Sequence, residues 1–280
     1  MRDAAPAATS TAVISLCSTP RVGHLRNQLA ALAGGSVSRI VVWVGDDDPS
    51  DLDAEHLIYV PPGRHGLRLA AARNAGANAA IDGGAQLLVF LDADCVPGPD
   101  LVLRYAAAAA ARPDAVLCGP VTYLPPGADV SRPSALAAST RPHPARPDPP
   151  ATTCRTATDG EYALFWSLSF ALTALAWTTT DGFDEGYEGY GGEDTDFAFR
   201  LRSSGIPLVW VGGAHAYHQH HDTQSPPWQH LDDILRNAVR FHGRWGEWPM
   251  TGWLDAFADA RAIEWDGQRW TRAAPGADTP

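Results

Sequence analysis

Short apolar runs alternate with longer segments of helical spacing through the first 120 residues of the chain. The apolar runs predict buried strands, and the segments in which apolar residues recur every three or four positions predict helices. The predicted strands are residues 12–17, 39–44, 57–60, 86–91 and 115–121. The predicted helices between them are residues 25–32, 67–82 and 100–112. This alternation predicts an α/β fold with a mainly parallel sheet that helices cover on both faces.

The pattern changes in the second half of the chain. Residues 123–160 are rich in Pro, Arg, Ser and Thr and therefore predict a flexible loop. After this loop, apolar spacing again predicts regular elements. They are a strand at 163–172 with a short helix to residue 180, a helix at 193–204, a strand at 208–211, and closing helices at 228–241 and 254–262. Residues before 10 and after 270 are expected to be loose.

Composition and charge narrow the possible functions. The 280-residue chain carries a net charge of −11, so it is a poor non-specific ligand for nucleic acid. No apolar run approaches the roughly 20 residues that cross a bilayer, and the first residues lack a secretion signal, so we expect a cytoplasmic protein without a transmembrane segment. All 21 basic residues are arginine, which excludes mechanisms that need a lysine.

Two aspartates follow the most hydrophobic predicted strand. Asp92-Ala93-Asp94 lies between this strand and a Pro-Gly-Pro turn. Ligands of such sheets bind at the carboxyl ends of the strands, and two carboxylates spaced i, i+2 there suit a hard divalent cation. The alternative is that these acids cap the next helix, but Asp100 already occupies the capping position. Another acidic cluster, residues 46–48, follows the second predicted strand.

A further group of acids begins the helix predicted at 193–204. Gly191 and Gly192 allow close approach of the backbone, and Glu193 and Asp194 follow in the first helical turn. At this position the helix dipole favours an ionised carboxylate, which suits a general base. Acids are common in the first turn of any helix, so this pattern alone fits a purely structural role as well as a catalytic one.

Histidines follow the strand predicted at 208–211, at positions 215, 218, 220 and 221. With the nearby acids they indicate a mixed nitrogen and oxygen metal site, for which we choose His218. We expect at least two of the four histidines to be surface residues. Arg73 lies among small residues of a predicted helix, where it can pair with phosphate or with the two aspartates. A surface position is an equally good interpretation for this arginine.

Four segments of the chain, in order over residues 12–221, resemble the family-2 glycosyltransferases of the GT-A fold. They are AVISLCSTPRVGHLRNQL, AAARNAGANAA, FLDADCVPGPDL with its DxD motif, and GFDEGYEGYGGEDTDFAFRLRSSG. The last segment is also similar to the β-1,4-galactosyltransferases, which share its Gly-Gly-Glu-Asp core. The resemblance implies a GT-A fold. It also implies an enzyme that moves a hexose from a nucleotide-sugar, with UDP-sugars favoured, to an acceptor hydroxyl.

The resemblance also implies a role for each residue on the donor side of the site. Asp94 and His218 would hold Mn²⁺ or Mg²⁺, and Asp92 would contact the donor ribose or a water on the metal. The residues expected to bind the nucleotide or its phosphates are Thr19, Arg21, Asp46 and Arg73. Where much of the family has Asp-Asp-Gly-Ser, residues 44–48 of this chain are Val-Gly-Asp-Asp-Asp, which makes the base contact less certain than the diphosphate site.

On the acceptor side, the resemblance makes Asp194 the catalytic base, and Glu193 the neighbour that helps hold the acceptor. Direct displacement would then invert the anomeric centre of the donor sugar. The acceptor could be a saccharide, a lipid-linked glycan, a peptide or a small molecule. Tyr190 stands where the galactosyltransferases carry tryptophan, so their sugar preference does not transfer to this chain.

The same resemblance divides the chain into functional segments. They are a flexible N terminus (1–10), a nucleotide-sugar-binding half (11–122), the flexible Pro-rich loop (123–160), an acceptor and catalytic half (161–225), C-terminal helices (226–270) and a tail (271–280).

Three other functions compete with glycosyl transfer. A haloacid-dehalogenase-type phosphatase would use Asp92 and Asp94 as its DxDx[TV] motif, but that motif normally opens the chain and its partner lysine is absent here. A non-catalytic sugar-nucleotide or glycan-binding module would keep the fold without turnover. A nucleotidyltransferase generally needs a glycine-rich basic loop and a lysine that this chain lacks.

Overall fold

Strands and helices alternate along the first half of the computed structural model, which describes residues 10–47, 49 and 52–273. In chain order, the strands are β1 (Thr11–Cys17), β2 (Val37–Trp43), β3 (His56–Tyr59), β4 (Leu87–Leu91), β5 (Cys95–Pro97), β6 (Val116–Cys118), β7 (Val121–Tyr123), β8 (Cys154–Thr156), β9 (Ser169–Thr173), β10 (Leu208–Val211), β11 (Ala216–His218), β12 (Ile263–Trp265) and β13 (Trp270–Arg272). The α-helices are α1 (Val22–Leu32), α2 (Leu69–Asp82), α3 (Leu101–Ala111), α4 (Pro133–Ala138), α5 (Ala174–Thr180), α6 (Glu193–Ser203), α7 (Leu231–Trp245) and α8 (Thr251–Asp259).

The central sheet has eight strands in the order β3-β2-β1-β4-β9-β6-β10-β8. The four strands at its β3 edge pair in parallel, while β9 runs antiparallel to both β4 and β6. Parallel neighbours carry their carboxyl ends to one edge of the sheet, so the segments after β1, β2 and β4 meet there. The mixed, mainly parallel sheet confirms the predicted fold class.

Alternate residues of the buried strands pack against helices on opposite faces of the sheet. Ile14 packs in the core beneath α2 and α6, whereas its neighbour Val13 packs on the face covered by α3. Gly76 of α2 brings that helix close to β1, because a Cβ there would lie 2.4 Å from a methyl carbon of Ile14. The small residues of α2 therefore set a short distance between helix and sheet.

A second, three-stranded sheet, ordered β5-β11-β7, lies at the edge where the parallel strands end. Strand β11 runs antiparallel to β5 and parallel to β7. Cys95 lies opposite His218 in this pairing. The pairing thus brings the histidine segment beside the two aspartates that precede β5.

The C-terminal segment forms the predicted helices, α7 and α8, and adds the hairpin of β12 and β13, which the pattern did not predict. These elements share a separate apolar core. Its buried residues are Leu231, Ile234, Leu235, Ala238, Leu254, Phe257 and Ile263. Of the predicted tail, residues 271 and 272 belong to β13.

Two predicted strands differ from the observed elements. The apolar run at 115–121 forms β6 and β7, which belong to different sheets, because the chain turns at Gly119 and Pro120. A Cβ at Gly119 would lie 2.0 Å from the Ala214 carbonyl oxygen, so only glycine fits this close approach. In the strand predicted at 163–172, only β9 is extended, and the preceding residues 159–164 form a 3₁₀ turn.

The Pro-rich segment 123–160 contains regular structure, namely α4 and the edge strand β8, which pairs antiparallel with β10. Its flexibility stays a prediction. The predictions for residues 1–9, Asp48 and residues 274–280 lie outside the described residues. Within the described part of the chain, none of the helices combines the length and the apolar composition needed to span a bilayer.

Candidate active site

Asp94, His218 and His221 form a compact cluster at the carboxyl edge of the sheet. Oδ2 of Asp94 lies 3.5 Å from Nε2 of His218 and 3.3 Å from Nε2 of His221. One ligand atom from each of the three side chains lies within 4.8 Å of the other two. Arg21, at the start of the first helical segment, places its Nε 3.4 Å from the same aspartate oxygen. The predicted pair of Asp94 and His218 is therefore joined by a second histidine.

Buried backbone contacts fix this cluster in place. The Gln219 amide donates to the Asp94 carbonyl at 2.7 Å, which ties the chain after β11 to the aspartate segment. Gln28 of α1, which is fully buried, donates from Nε2 to the carbonyls of Asp92 and Cys95 at 2.7 and 2.8 Å. The turn that carries both aspartates is thus fixed by hydrogen bonds from α1 and from the residue that follows β11.

The charges around Asp94 favour its ionised form. Burial opposes ionisation, but the hydrogen bond with His221 and the positive charge of Arg21 hold the pKa of Asp94 below its usual range. Burial lowers the pKa of His218, which keeps its imidazole neutral and able to donate a lone pair. A carboxylate oxygen and two imidazole nitrogens fit a divalent transition ion such as Mn²⁺ better than Mg²⁺, which prefers oxygen ligands.

Arg73 joins the two acidic segments of the sequence. Its guanidinium lies 3.5 Å from Asp92 and donates to Glu193 at 3.1 Å and to the Ser167 hydroxyl at 2.7 Å. The side chain is only 4% exposed, so the interpretation of Arg73 as a surface residue is wrong. Of its two predicted partners, phosphate and the aspartate pair, the structure contains the contact with the first aspartate.

Asp92 and Asp194 are half-buried and lie beside other carboxylates. Burial and the neighbouring carboxylates raise the pKa of Asp92 to about 7 and that of Asp194 to about 6, although Arg73 partly offsets both shifts. The backbone amide of Thr195 donates to Asp194 at 2.7 Å. Burial and the charge of Glu193 therefore act against the ionised form that a helix N-terminus favours. The carboxyl group is poised near neutral pH, where a general base is effective.

A cavity of about 920 Å³ opens beside these acids. Its acidic wall contains Asp92, Glu193 and Asp194. Aromatic side chains from several elements cover the rest, namely Tyr123, Trp166, Tyr190, Phe199, Phe241, Trp248 and Trp253. Its volume is within the range that holds a small-molecule ligand, and its lining combines apolar surface with a few polar groups, as ligand sites do.

The predicted nucleotide residues are only partly brought together. Arg21 lies at the cluster of Asp94, His218 and His221, and its Nη2 is 3.1 Å from Nδ1 of His221. The Thr19 hydroxyl donates to Asp47 rather than to Asp46, and the indole nitrogen of Trp43 donates to Asp47 at 3.2 Å. Asp46 is exposed. The carboxylate that links the ends of β1 and β2 is therefore Asp47.

Sequence reasoning missed three residues of the site: His221, Gln28 and Asp47. His221 was one of four candidate histidines, and Asp47 was inside a recognised acidic cluster, so the sequence carried a signal for both. Gln28 carried none, since a lone glutamine on a helix has no distinctive pattern. His215 and His220 lie outside the cluster, and His220 is exposed. Asp100 precedes α3, but its side chain makes no capping hydrogen bond.

Two family models match the chain. Residues 25–164 match the model described as glycosyl transferase family 2, and residues 153–222 match the model described as the N-terminal domain of galactosyltransferase. The matches cover most of the residues of the candidate site. They do not favour a phosphatase.

Two curated relatives carry the same description, validoxylamine A glucosyltransferase. The protein from Streptomyces hygroscopicus subsp. jinggangensis (strain 5008) is 29% identical over 226 residues, which cover 67% of this chain and 49% of the relative. The protein from Streptomyces hygroscopicus subsp. limoneus is 30% identical over 206 residues, which cover 60% of this chain and 42% of the relative. The chain thus spans about half the length of the curated relatives it matches.

Solved structures share the fold at low sequence identity. The crystal structure of GalNAc-T7 with UDP, GalNAc and Mn²⁺ aligns with a TM-score of 0.54 and 16% identity, over 92% of this chain and 51% of that one. The structure of S. aureus TarS 1-349 in complex with UDP-GlcNAc aligns with a TM-score of 0.51 and 14% identity, over 82% of this chain and 66% of that one. At these identities the likeness shows the fold alone.

Proposed function

Because the chain belongs to glycosyl transferase family 2, we propose that it is a metal-dependent glycosyltransferase that moves a hexose from a nucleotide-sugar to an acceptor hydroxyl. One observation carries this proposal. Asp94, His218 and His221 form a cluster that could hold a cation, next to a cavity that Asp92 and Asp194 line. A cation site and a poised carboxylate at one cavity are what transfer from a diphosphate-linked sugar requires.

On the donor side, Asp94, His218 and His221 would hold Mn²⁺, which when bound would neutralise charge on the leaving nucleoside diphosphate. Arg21 adds a guanidinium at the same place and would pair with a phosphate oxygen. Asp92 would accept a hydrogen bond from a donor hydroxyl. GalNAc-T7 was solved with UDP and TarS with UDP-GlcNAc, which supports a UDP-sugar as donor. The curated relatives are described as glucosyltransferases, which supports glucose as the sugar.

On the acceptor side, Asp194 would take the proton of the attacking hydroxyl. The acceptor oxygen forms a bond to the anomeric carbon, the bond from that carbon to the phosphate oxygen breaks, and the nucleoside diphosphate leaves. Attack from the face opposite the leaving group inverts the anomeric centre and gives a β-linkage from an α-linked donor. The raised pKa of Asp194 suits this role, since a base is most effective near the working pH.

Arg73 would separate the roles of the neighbouring acids. Its guanidinium pairs with Glu193 and with Asp92, so both acids are held in place. Among the described residues, the Asp194 carboxylate accepts hydrogen bonds only from Thr195. The aromatic lining would exclude water and bind the apolar faces of a sugar-like acceptor. The cavity volume and the relatives' named acceptor favour a small molecule over a polymer.

The test is metal-dependent donor binding followed by transfer. We expect UDP-glucose to raise the melting temperature with Mn²⁺ and not with EDTA. Asp94→Ala should abolish this shift, and Asp114→Ala, which changes an exposed aspartate, should keep it. Transfer is then measured as UDP release from UDP-glucose, with validoxylamine A as acceptor and separately with water.

Two outcomes would contradict the proposal. One is the absence of a metal-dependent shift with any UDP-sugar. The other is release of phosphate from p-nitrophenyl phosphate that is lost in Asp92→Ala, which would favour the phosphatase alternative.

A further inference from the structure

The loop that precedes the proposed base is held by a helix that neither family model covers. The matched segments end at residue 222, whereas α7 begins at Leu231. The loop, residues 188–192, leads directly into α6 and Asp194. We infer that Asn237 of α7 is a positioning residue for Asp194, an inference that rests on the proposed function of that aspartate.

Asn237 makes three contacts with the loop backbone. Its Nδ2 donates to the carbonyl oxygens of Glu188 at 3.1 Å, Tyr190 at 3.2 Å and Gly191 at 2.8 Å. The side chain is 1% exposed, so water cannot replace these hydrogen bonds without a rearrangement of the loop. The two hydrogens of one amide group are thus shared among three carbonyl oxygens of the loop.

Two other residues of α7 hold the same loop. Arg236 donates from Nη2 to the Glu188 carbonyl at 2.7 Å and to Asp233 at 2.7 Å. Asp233 in turn accepts a hydrogen bond from the Tyr190 amide at 3.2 Å. Side chains of α7 therefore hydrogen-bond both to amides and to carbonyls of the loop backbone. The helix thus fixes the loop by directed hydrogen bonds in addition to packing against it.

The loop needs such an external partner because its backbone is unusual. Gly191 and Gly192 have φ values of +87° and +93°, and glycine adopts many other conformations at similar cost. The Gly192 carbonyl accepts the hydrogen bond from the Asp196 amide that begins α6. Fixing the carbonyl of Gly191 therefore fixes the entry into the helical turn that carries Asp194.

Loss of the Asn237 amide would let these two glycines change conformation and displace Asp194 from the cavity. A displacement of about 1 Å at a reacting group can reduce a rate about 100-fold. The donor side would change little, because Asp94, His218 and His221 are held by β4, β5 and β11. The signature of positioning is therefore a lower kcat with an unchanged donor KM.

The experiment compares Asn237→Ala and Asn237→Asp with Asn78→Ala and Asn78→Asp, which change an exposed asparagine of α2. Asn237→Asp keeps the side-chain volume and removes the donor, so it separates hydrogen bonding from packing. We expect both Asn237 variants to lower kcat for UDP release about 100-fold. The donor KM and the Mn²⁺-dependent thermal shift with UDP-glucose should change less than about twofold, and hydrogen exchange in residues 188–194 should become faster.

Three outcomes would overturn the inference. The first is a kcat within about threefold of the parent in folded Asn237 variants. The second is a rise in donor KM at unchanged kcat, and the third is failure of both variants to fold, which would make the role structural. A parent protein that neither binds UDP-glucose with Mn²⁺ nor releases UDP would instead contradict the proposed function.

Discussion

Asp94 and Asp194 belong to one site, but their pKa values are shifted in opposite directions. Asp94 follows the end of β4, lies beside Arg21 and two histidines, and has a pKa below its usual range. Asp194 lies in the first turn of α6 beside Glu193, and its pKa is raised to about 6. Both side chains are half-buried, so burial alone does not account for the difference. The charge of the immediate neighbours decides it.

The difference in pKa suits two different proposed roles, cation binding at Asp94 and proton transfer at Asp194. A carboxylate that stays ionised over a wide pH range suits the binding of a cation, which needs a permanent negative charge. A carboxyl group poised near neutral pH suits proton transfer, because it can both gain and lose a proton. The cluster of Asp94, His218 and His221, called here the Asp94 corner, lies beside the cavity, and Asp92, Glu193 and Asp194 line its wall, called here the acceptor corner. The two corners thus differ in the way that the proposed donor and acceptor roles require.

The strongest test of this division is Asp194→Asn. The amide cannot take a proton from the acceptor, so we expect transfer to fall by about 10²- to 10⁴-fold. Metal-dependent binding of UDP-glucose should persist, because the ligands of the Asp94 corner are unchanged. Both are measured on the same preparation, by UDP release and by thermal shift. Loss of donor binding together with transfer would contradict the separation of the two corners.

A second test removes the cation that links the acids of the acceptor corner. Arg73→Met leaves the buried Glu193 and the half-buried Asp92 without their partner. Breaking a buried pair, such as that of Arg73 with Glu193, costs about 3–5 kcal/mol of unfolding free energy. Urea unfolding measures the loss, and Arg26→Met, at an exposed arginine of α1, is the control. A loss no greater than that of the control would mean that the two acids do not depend on Arg73.

The fold followed from local patterns, because strands and helices are set by short-range periodicity. The wrong strand predictions occurred where pairing with a distant strand determined how far an element extends. The apolar run that became β6 and β7 contains Gly119 and Pro120, and the close approach of Gly119 to Ala214 separates the two strands there. No local feature of residues 115–121 other than Gly-Pro marks this boundary.

The candidate site was predictable in its acids and less so in their partners. Asp92 and Asp94 were identified because two acids at a strand end are conspicuous in the sequence, whereas Asp194 was singled out by the resemblance to the glycosyltransferases. Whether Arg73 was buried depended on Glu193, which lies 120 positions further along the chain. The choice between His218 and His221 depended on the path of the chain after β11. Such contacts are set by tertiary packing, which a single sequence does not display.

A third test sharpens the description of the Asp94 corner. We expect His221→Ala to weaken Mn²⁺ binding at least about 10- to 100-fold, the range seen even for residues that only orient metal ligands. His220→Ala changes the adjacent exposed histidine and should leave Mn²⁺ affinity within about twofold. Calorimetric titration with Mn²⁺ measures both. Equal effects of the two substitutions would remove His221 from the cluster.

The last test uses pH to distinguish the two aspartates. A carboxyl group with a raised pKa is protonated at higher pH than usual, so the proposed base is lost as pH falls below about 6. With Mn²⁺ and UDP-glucose saturating, we expect kcat/KM for the acceptor to fall about tenfold per pH unit below this value. Saturation with Mn²⁺, verified at each pH, keeps protonation of the histidine ligands from contributing. A decline that begins only near pH 4, as for a hydrated aspartate, would mean that the base is not the desolvated Asp194.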